Sequence, residues 1–153
     1  MMGSIHDHKN NYIFEKAKHY CAYQERCIAD VRKKLVDWNV RPESIGKIIH
    51  LLLSEDYINE ERFVRIFAGG KFRIKKWGRN KIYAALRARG IADNLIRLGL
   101  EEIDEEEYAQ TLNALINKKK ESLKDPASPD GRNKVIHYAL SRGFERHLVF
   151  RYL

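Results

Sequence analysis

The segment Gly78-Arg79-Asn80-Lys81-Ile82 occurs a second time as Gly131-Arg132-Asn133-Lys134-Val135. At the same offset of 53, Arg89-Gly90-Ile91 returns as Arg142-Gly143-Phe144, and Ile96 and Leu100 return as Val149 and Leu153. Upstream, at an offset of 51, Ile82, Leu86, Gly90, Ile91, Ile96 and Leu100 fall on Val31, Leu35, Asn39, Val40, Ile45 and Ile49. Each landing keeps its chemical role. Apolar positions meet apolar positions, and the helix-stopping glycine meets asparagine, the usual substitute in a left-handed backbone. A period near 50 residues in a chain of 153 leaves room for three copies of one small unit. Units of that kind bury their apolar faces against their neighbours, which predicts an elongated, curved array rather than a sphere.

Inside each copy the apolar period is helical, and strand alternation is absent. A first helix is expected over 13–26. Asp30 is placed to cap a second helix that carries Val31, Leu35 and Trp38. Pro42 suits the first position of a third, with Ile45, Ile48, Ile49 and Leu52 facing inward. Asn59, Asp93 and Asp104 read as further caps, with Glu60-Glu61 and Glu105-Glu106-Glu107 suiting positive helix starts. Gly69-Gly70 is expected to weaken or end the fourth helix, since each glycine costs about 1 kcal/mol there relative to alanine. The run 124–131 reads as a loop. The expected fold is therefore all-α: an unstructured 1–11, then three-helix repeats over 12–58, 59–103 and 104–153.

Charge singles out the middle copy. The chain carries a net +8 and a pI of about 9.5. Residues 59–103 hold eleven basic side chains against five acidic ones, whereas the repeats on either side are nearly balanced. From Arg62 to Ala92 there is no acid at all, and ten residues are basic. Such a surface is built to meet an anionic partner. The candidate binding residues are Lys71, Arg73, Lys75, Lys76, Arg79, Lys81, Tyr83 and Arg87. On a helix, Arg79, Tyr83 and Arg87 form one row, suited to phosphates with an aromatic ring available for stacking. Arg89 and Arg142, in last turns, read as structural cations. Trp77 reads first as a packing anchor. The acids from Glu101 to Glu107 read as a helix end followed by a helix start.

Catalysis finds little support. Six histidines are scattered, with no HExxH pattern, no phosphate-binding glycine loop and no serine elbow. Cys21 and Cys27 lie six apart and read as two reduced thiols. No cofactor and no metal are expected. No stretch reaches the ~20 apolar residues of a membrane span, so a cytoplasmic protein is the expectation.

The block Tyr57-Ile58-Asn59-Glu60-Glu61-Arg62-Phe63, followed by Lys81-Ile82, Leu86 and Arg89-Gly90-Ile91, resembles the central signature of the RecX family. The upstream Asp30-Val31-Arg32-Lys33-Lys34-Leu35 resembles that family's first-repeat pattern. The chain departs from it by having Gly78-Arg79 in place of a Gly-Pro pair, and Ala85 in place of a Glu. The resemblance implies tandem three-helix repeats and a modulator, chiefly an inhibitor, of the RecA recombinase in DNA recombination, DNA repair and the SOS response. The implied partners are the RecA filament and single-stranded DNA, with double-stranded DNA left open; a monomer is expected. Two alternatives stand beside it: a helix-turn-helix-like transcription factor, and a protein-binding helical scaffold.

Overall fold

The computed structural model describes residues 5–153, with side chains from Lys9 onward. The helices run α1 (Ile5–Tyr23), α2 (Ile28–Asp37), α3 (Pro42–Ser54), α4 (Glu60–Lys75), α5 (Arg79–Ala88), α6 (Asp93–Leu100), α7 (Glu105–Glu121), α8 (Pro129–Ser141) and α9 (Arg146–Arg151). No strand occurs among the described residues. The all-α expectation holds, and the helices follow one another in threes.

The repeat is visible in backbone geometry. Asn39, Gly90 and Gly143 all have positive φ, at 61°, 75° and 98°. Each closes the second helix of its group with the same pair of hydrogen bonds. Asn39 N–H donates to the Val36 carbonyl and Val40 N–H to that of Leu35. Gly90 and Ile91 do the same to Arg87 and Leu86, as do Gly143 and Phe144 to Leu140 and Ala139. This is the Schellman ending, in which a left-handed residue satisfies the last carbonyls of the helix. The apolar residue after it is buried in all three cases, as Val40, Ile91 and Phe144. The inward positions agree as well: Val31, Ile82 and Val135 are buried, and so are Ile45, Ile96 and Val149.

The chain divides into two compact units, Met1–Phe63 and Val64–Leu153. In the first, α1 to α3 close over Ile13, Ala17, Val31, Leu35, Ile48 and Leu52. Leu35 and Leu52 are fully buried, and each such side chain stabilises by roughly 1.5–3 kcal/mol. Cys21 and Cys27 are buried free thiols. Burial pushes Cys21 up to about 11 and Cys27 up to about 12, so both stay protonated at neutral pH. Arg62 ties this unit together by pairing with Glu25 at 2.8 Å and Asp56 at 2.9 Å.

In the second unit the rings of Phe72, Tyr108 and Phe144 stack in sequence, with centroids 5.6 and 5.1 Å apart. These three residues come from α4, α7 and the α8–α9 turn. The second and third repeats therefore share one core instead of forming separate domains.

Several local expectations are corrected. Residues 5–11 belong to α1, and residues 1–4 lie outside the described residues. Asp30 sits one turn inside α2, where its carboxylate accepts the Cys27 N–H at 3.4 Å. Ala92, not Asp93, precedes α6. The loop before α8 ends at Ser128, whose hydroxyl accepts the Gly131 N–H and caps the helix one turn earlier than expected. Asn59 and Asp104 do cap, accepting from Arg62 N–H and Glu107 N–H at 2.9 Å each. The helix α4 runs straight through Gly69-Gly70 to Lys75. Propensity loses there because Ala68 and Phe72, on either side of the glycines, are buried and gain more than the two glycines cost.

Candidate nucleic-acid interface

The unbroken course of α4 places Lys71, Arg73 and Lys75 on its last turns, where cations suit the negative end of the helix. Lys76 follows in the left-handed region at φ 59° and ends the helix. Arg142, just past the end of α8, supports this terminus, its guanidinium donating to the carbonyls of Lys75 and Lys76. Arg142 is thus structural as expected, but it serves the end of α4 rather than that of its own helix.

Cations and rings alternate across this face. Arg89 lies over Phe67 at 4.8 Å, Lys71 lies 5.4 Å from Phe67 and 5.0 Å from Trp77, and Lys81 lies 4.7 Å from Trp77. The contacts of Lys71 and Lys81 are cation–π attractions that fix a charged side chain without neutralising it. Phe67 and Lys71 stand one helical turn apart, so this pairing could have been read from the spacing in the sequence. Trp77 is half-buried and holds two lysines, which is how it packs. Among the described residues, Lys71, Arg73, Lys75, Lys76, Lys81 and Arg87 make no ion pair with a carboxylate.

The row Arg79, Tyr83, Arg87 does not stand as an open edge. Arg79 has only 18% of its side chain exposed and pairs with Glu105 at 2.7 Å and Glu145 at 2.9 Å. Its guanidinium stacks 3.9 Å from the Tyr108 ring. Burial opposes its charge, and the carboxylates of Glu145 and Glu105 outweigh burial, so its pKa is raised. Tyr83 donates its hydroxyl to Asp93, which also accepts from Arg97 at 2.7 Å. Bonds from Arg97 and Tyr83 hold the Asp93 carboxyl below its ordinary 3.8. Arg87 remains exposed beside that group.

What Arg79 belongs to is a seam. The start of α5 has no side-chain cap of its own. Gly78 N–H donates to the Arg142 carbonyl at 2.7 Å and Asn80 N–H to that of Gly143 at 2.9 Å. Arg79 N–H donates to the Tyr108 hydroxyl at 3.0 Å, and that hydroxyl donates to Glu145. Three donors that a helix start leaves open are thereby satisfied by the third repeat. Only glycine fits at position 78, since a Cβ there would stand 2.3 Å from the Gly143 carbonyl carbon. Burial, then the Glu145 carboxylate, push the Tyr108 hydroxyl well above its ordinary 10.0.

The sequence profile described as RecX, second three-helix domain, matches residues 59–100, the stretch that carries these cations. Among curated relatives, the protein named Regulatory protein RecX from Lactobacillus johnsonii is 24% identical over 139 residues, covering 91% of this chain and 51% of its own length. That from Clostridium perfringens is 28% identical over 118 residues, covering 76% and 55%. A third, from Prosthecochloris aestuarii, is 28% identical over 144 residues and covers 94% of this chain and 92% of its own. The chain spans about half the length of the first two. A solved structure of RecX from Lactobacillus salivarius superimposes with a TM-score of 0.82 at 21% identity, covering 94% of this chain and 93% of that one. Another, described as regulatory protein RecX, gives 0.85 at 20%, covering 94% and 70%. At such identities the two structures bear on the fold.

Proposed function

From the premise that this chain belongs to the RecX family, we propose that it is a non-enzymatic regulator that restrains the RecA recombinase by binding the RecA–single-stranded DNA filament. It acts in the cytoplasm on recombination and repair. The nucleic-acid contact is the second repeat, through Lys71, Arg73, Lys75, Lys76, Lys81 and Arg87. The observation that carries the reading is the placing of Lys71 and Lys81 against the rings of Phe67 and Trp77. Charges held by aromatic rings stay available to phosphates, whereas charges held by carboxylates do not. Arg79 is left out of this surface because its partners already neutralise it.

The test combines a charge variant with the RecA reaction. A variant Arg73→Gln, Lys75→Gln, Lys76→Asn, Lys81→Gln removes four charges, with asparagine chosen for the left-handed position. Its log K against log salt for single-stranded DNA should flatten by about 3, since each phosphate contact contributes about 0.7. The native protein added below stoichiometry should slow RecA's DNA-dependent ATPase, and the variant should slow it less. If the native protein leaves the ATPase unchanged at every ratio, the regulator reading fails. An unchanged salt slope in the variant removes the assigned surface.

A further inference from the structure

The motif that forms the seam in the second repeat is exposed in the third. Arg132 is the counterpart of Arg79 at the offset of 53. In α8 the neighbourhood that the third repeat fills for α5 is taken by the chain's own loop. A Cβ on Gly131 would stand 2.1 Å from the Asp125 carbonyl oxygen, and Ser128 already caps the helix. No Asp or Glu side chain pairs with Arg132 among the described residues. The residue is exposed.

Arg132 instead lies 5.9 Å from the ring of Phe150, and Arg146 lies 6.0 Å from the same ring. Both guanidiniums stand farther from this ring than Arg79 does from Tyr108, at 3.9 Å, and the ring stays partly exposed. Phe150 is 42% exposed, while Val149 beside it is buried. Arg146 also makes no ion pair among the described residues. Two clefts adjoin these side chains. One, of about 300 Å³, is edged by Lys120 and Arg132, and the other by Lys119, Lys134 and Arg146. No Asp or Glu side chain lines either cleft.

We propose that Arg132, Phe150 and Arg146 form a second contact for single-stranded nucleic acid, with one base stacked on Phe150 and the flanking phosphates held by the two arginines. A partly exposed ring with two unpaired guanidiniums beside it matches the chemistry of one nucleotide in an unpaired strand, which offers a π-face and two anionic neighbours. A duplex hides its bases and gains only the phosphate contacts. The inference rests on the nucleic-acid reading above but assigns a different surface, carried by a different repeat.

Binding of labelled oligothymidylate and of a duplex of equal length, at several salt concentrations, tests it. The variant Phe150→Ala should weaken oligothymidylate binding by on the order of 10-fold and duplex binding by less than 2-fold, since stacking on one aromatic is worth roughly 1–3 kcal/mol. Phe150→Trp should restore single-strand affinity to the native value or above it. The pair Arg132→Gln, Arg146→Gln should flatten the salt slope on the single strand by about 1.4. Phe150 is exposed, so circular dichroism should report a native helix content. Unchanged affinity in all three variants, alongside lost affinity in the second-repeat charge variant, would overturn this site and leave the other standing. Equal losses on duplex and single strand in Phe150→Ala would also overturn it, as would polyglutamate bound with the same dependence on Phe150. No binding by the native protein at low salt would end both readings together.

Discussion

Arg79 and Arg132 occupy the same place in the same five-residue motif, yet their surroundings differ in every respect that matters. Arg79 is largely enclosed, stacked on Tyr108 and paired with Glu105 and Glu145. Arg132 is exposed beside Phe150 and pairs with no carboxylate among the described residues. The glycine before each is crowded, but by different neighbours. Gly78 faces the Gly143 backbone of another repeat, and Gly131 faces the Asp125 carbonyl of its own loop. A repeated sequence therefore preserves a helix start and a core. What that start meets is decided by the next element along, and with it whether an arginine serves the fold or the surface.

The largest effect that separates the two copies is expected from alanine at the glycines. Gly78→Ala would drive a methyl to 2.3 Å from a backbone carbon that the α8–α9 turn holds in place. It would also disturb the hydrogen bonds donated by Gly78 and Asn80. A loss of roughly 3 kcal/mol follows, with a fall in Tm on the order of 10 °C. Gly131→Ala meets the Asp125 carbonyl at 2.1 Å, which accepts from the Ser128 hydroxyl and N–H, but the clash stays within one connection and breaks no hydrogen bond between repeats. About 1–2 kcal/mol is expected there. Thermal denaturation of both variants decides the matter, and equal losses would mean that position 78 is no more constrained than a loop contact.

How far the sequence reached depends on how far apart the partners lie along the chain. The Schellman endings at Asn39, Gly90 and Gly143 were legible because the left-handed residue and the buried residue after it are neighbours. The caps at Asn59 and Asp104 were legible for the same reason, with their receiving N–H three residues on. The seam was not. Arg79 meets Glu105 and Glu145 across 26 and 66 residues, and no local period points to either. The acids from Glu101 to Glu107 read as a helix end followed by a helix start, although the Glu105 carboxylate reaches back to Arg79 of the second repeat. Tyr83 lost its place on the open row to Asp93, ten residues away. The passage of α4 through Gly69-Gly70 was hidden because local propensity opposes it and tertiary burial overrides propensity.

The next effect in size belongs to Tyr108, the buried hydroxyl that joins both sides of the seam. Tyr108→Phe leaves the Arg79 N–H and one Glu145 oxygen without their partner, a loss of about 1–3 kcal/mol for buried polar groups. The native protein also carries a pH dependence here. The folded pKa of Tyr108 lies above its unfolded value of about 10, so the tyrosine's contribution is fully present below pH 10. It is lost as pH rises beyond 10, because the unfolded chain ionises and the folded one resists. Denaturant unfolding between pH 8 and 11 should show a steeper alkaline decline in the native protein than in Tyr108→Phe. Identical slopes would mean that the hydroxyl is not held in the bond to Glu145.

The smallest effect is the most direct comparison. Arg79→Ala removes a stacked, doubly paired guanidinium and strands Glu145 in a half-buried site beside Tyr108. Breaking one side of a partly buried pair should cost about 1–2 kcal/mol after allowing for the exposed partner Glu105. Arg132→Ala removes an exposed side chain that lies 5.9 Å from the centre of the Phe150 ring, and its stability should stay within about 0.5 kcal/mol of native. Urea unfolding of the two variants, measured side by side, reads this difference as a shift in midpoint at constant m. Should Arg132→Ala destabilise as much as Arg79→Ala, the two arginines would share one structural job. The third repeat would then have no spare cation beside Phe150 to offer a phosphate.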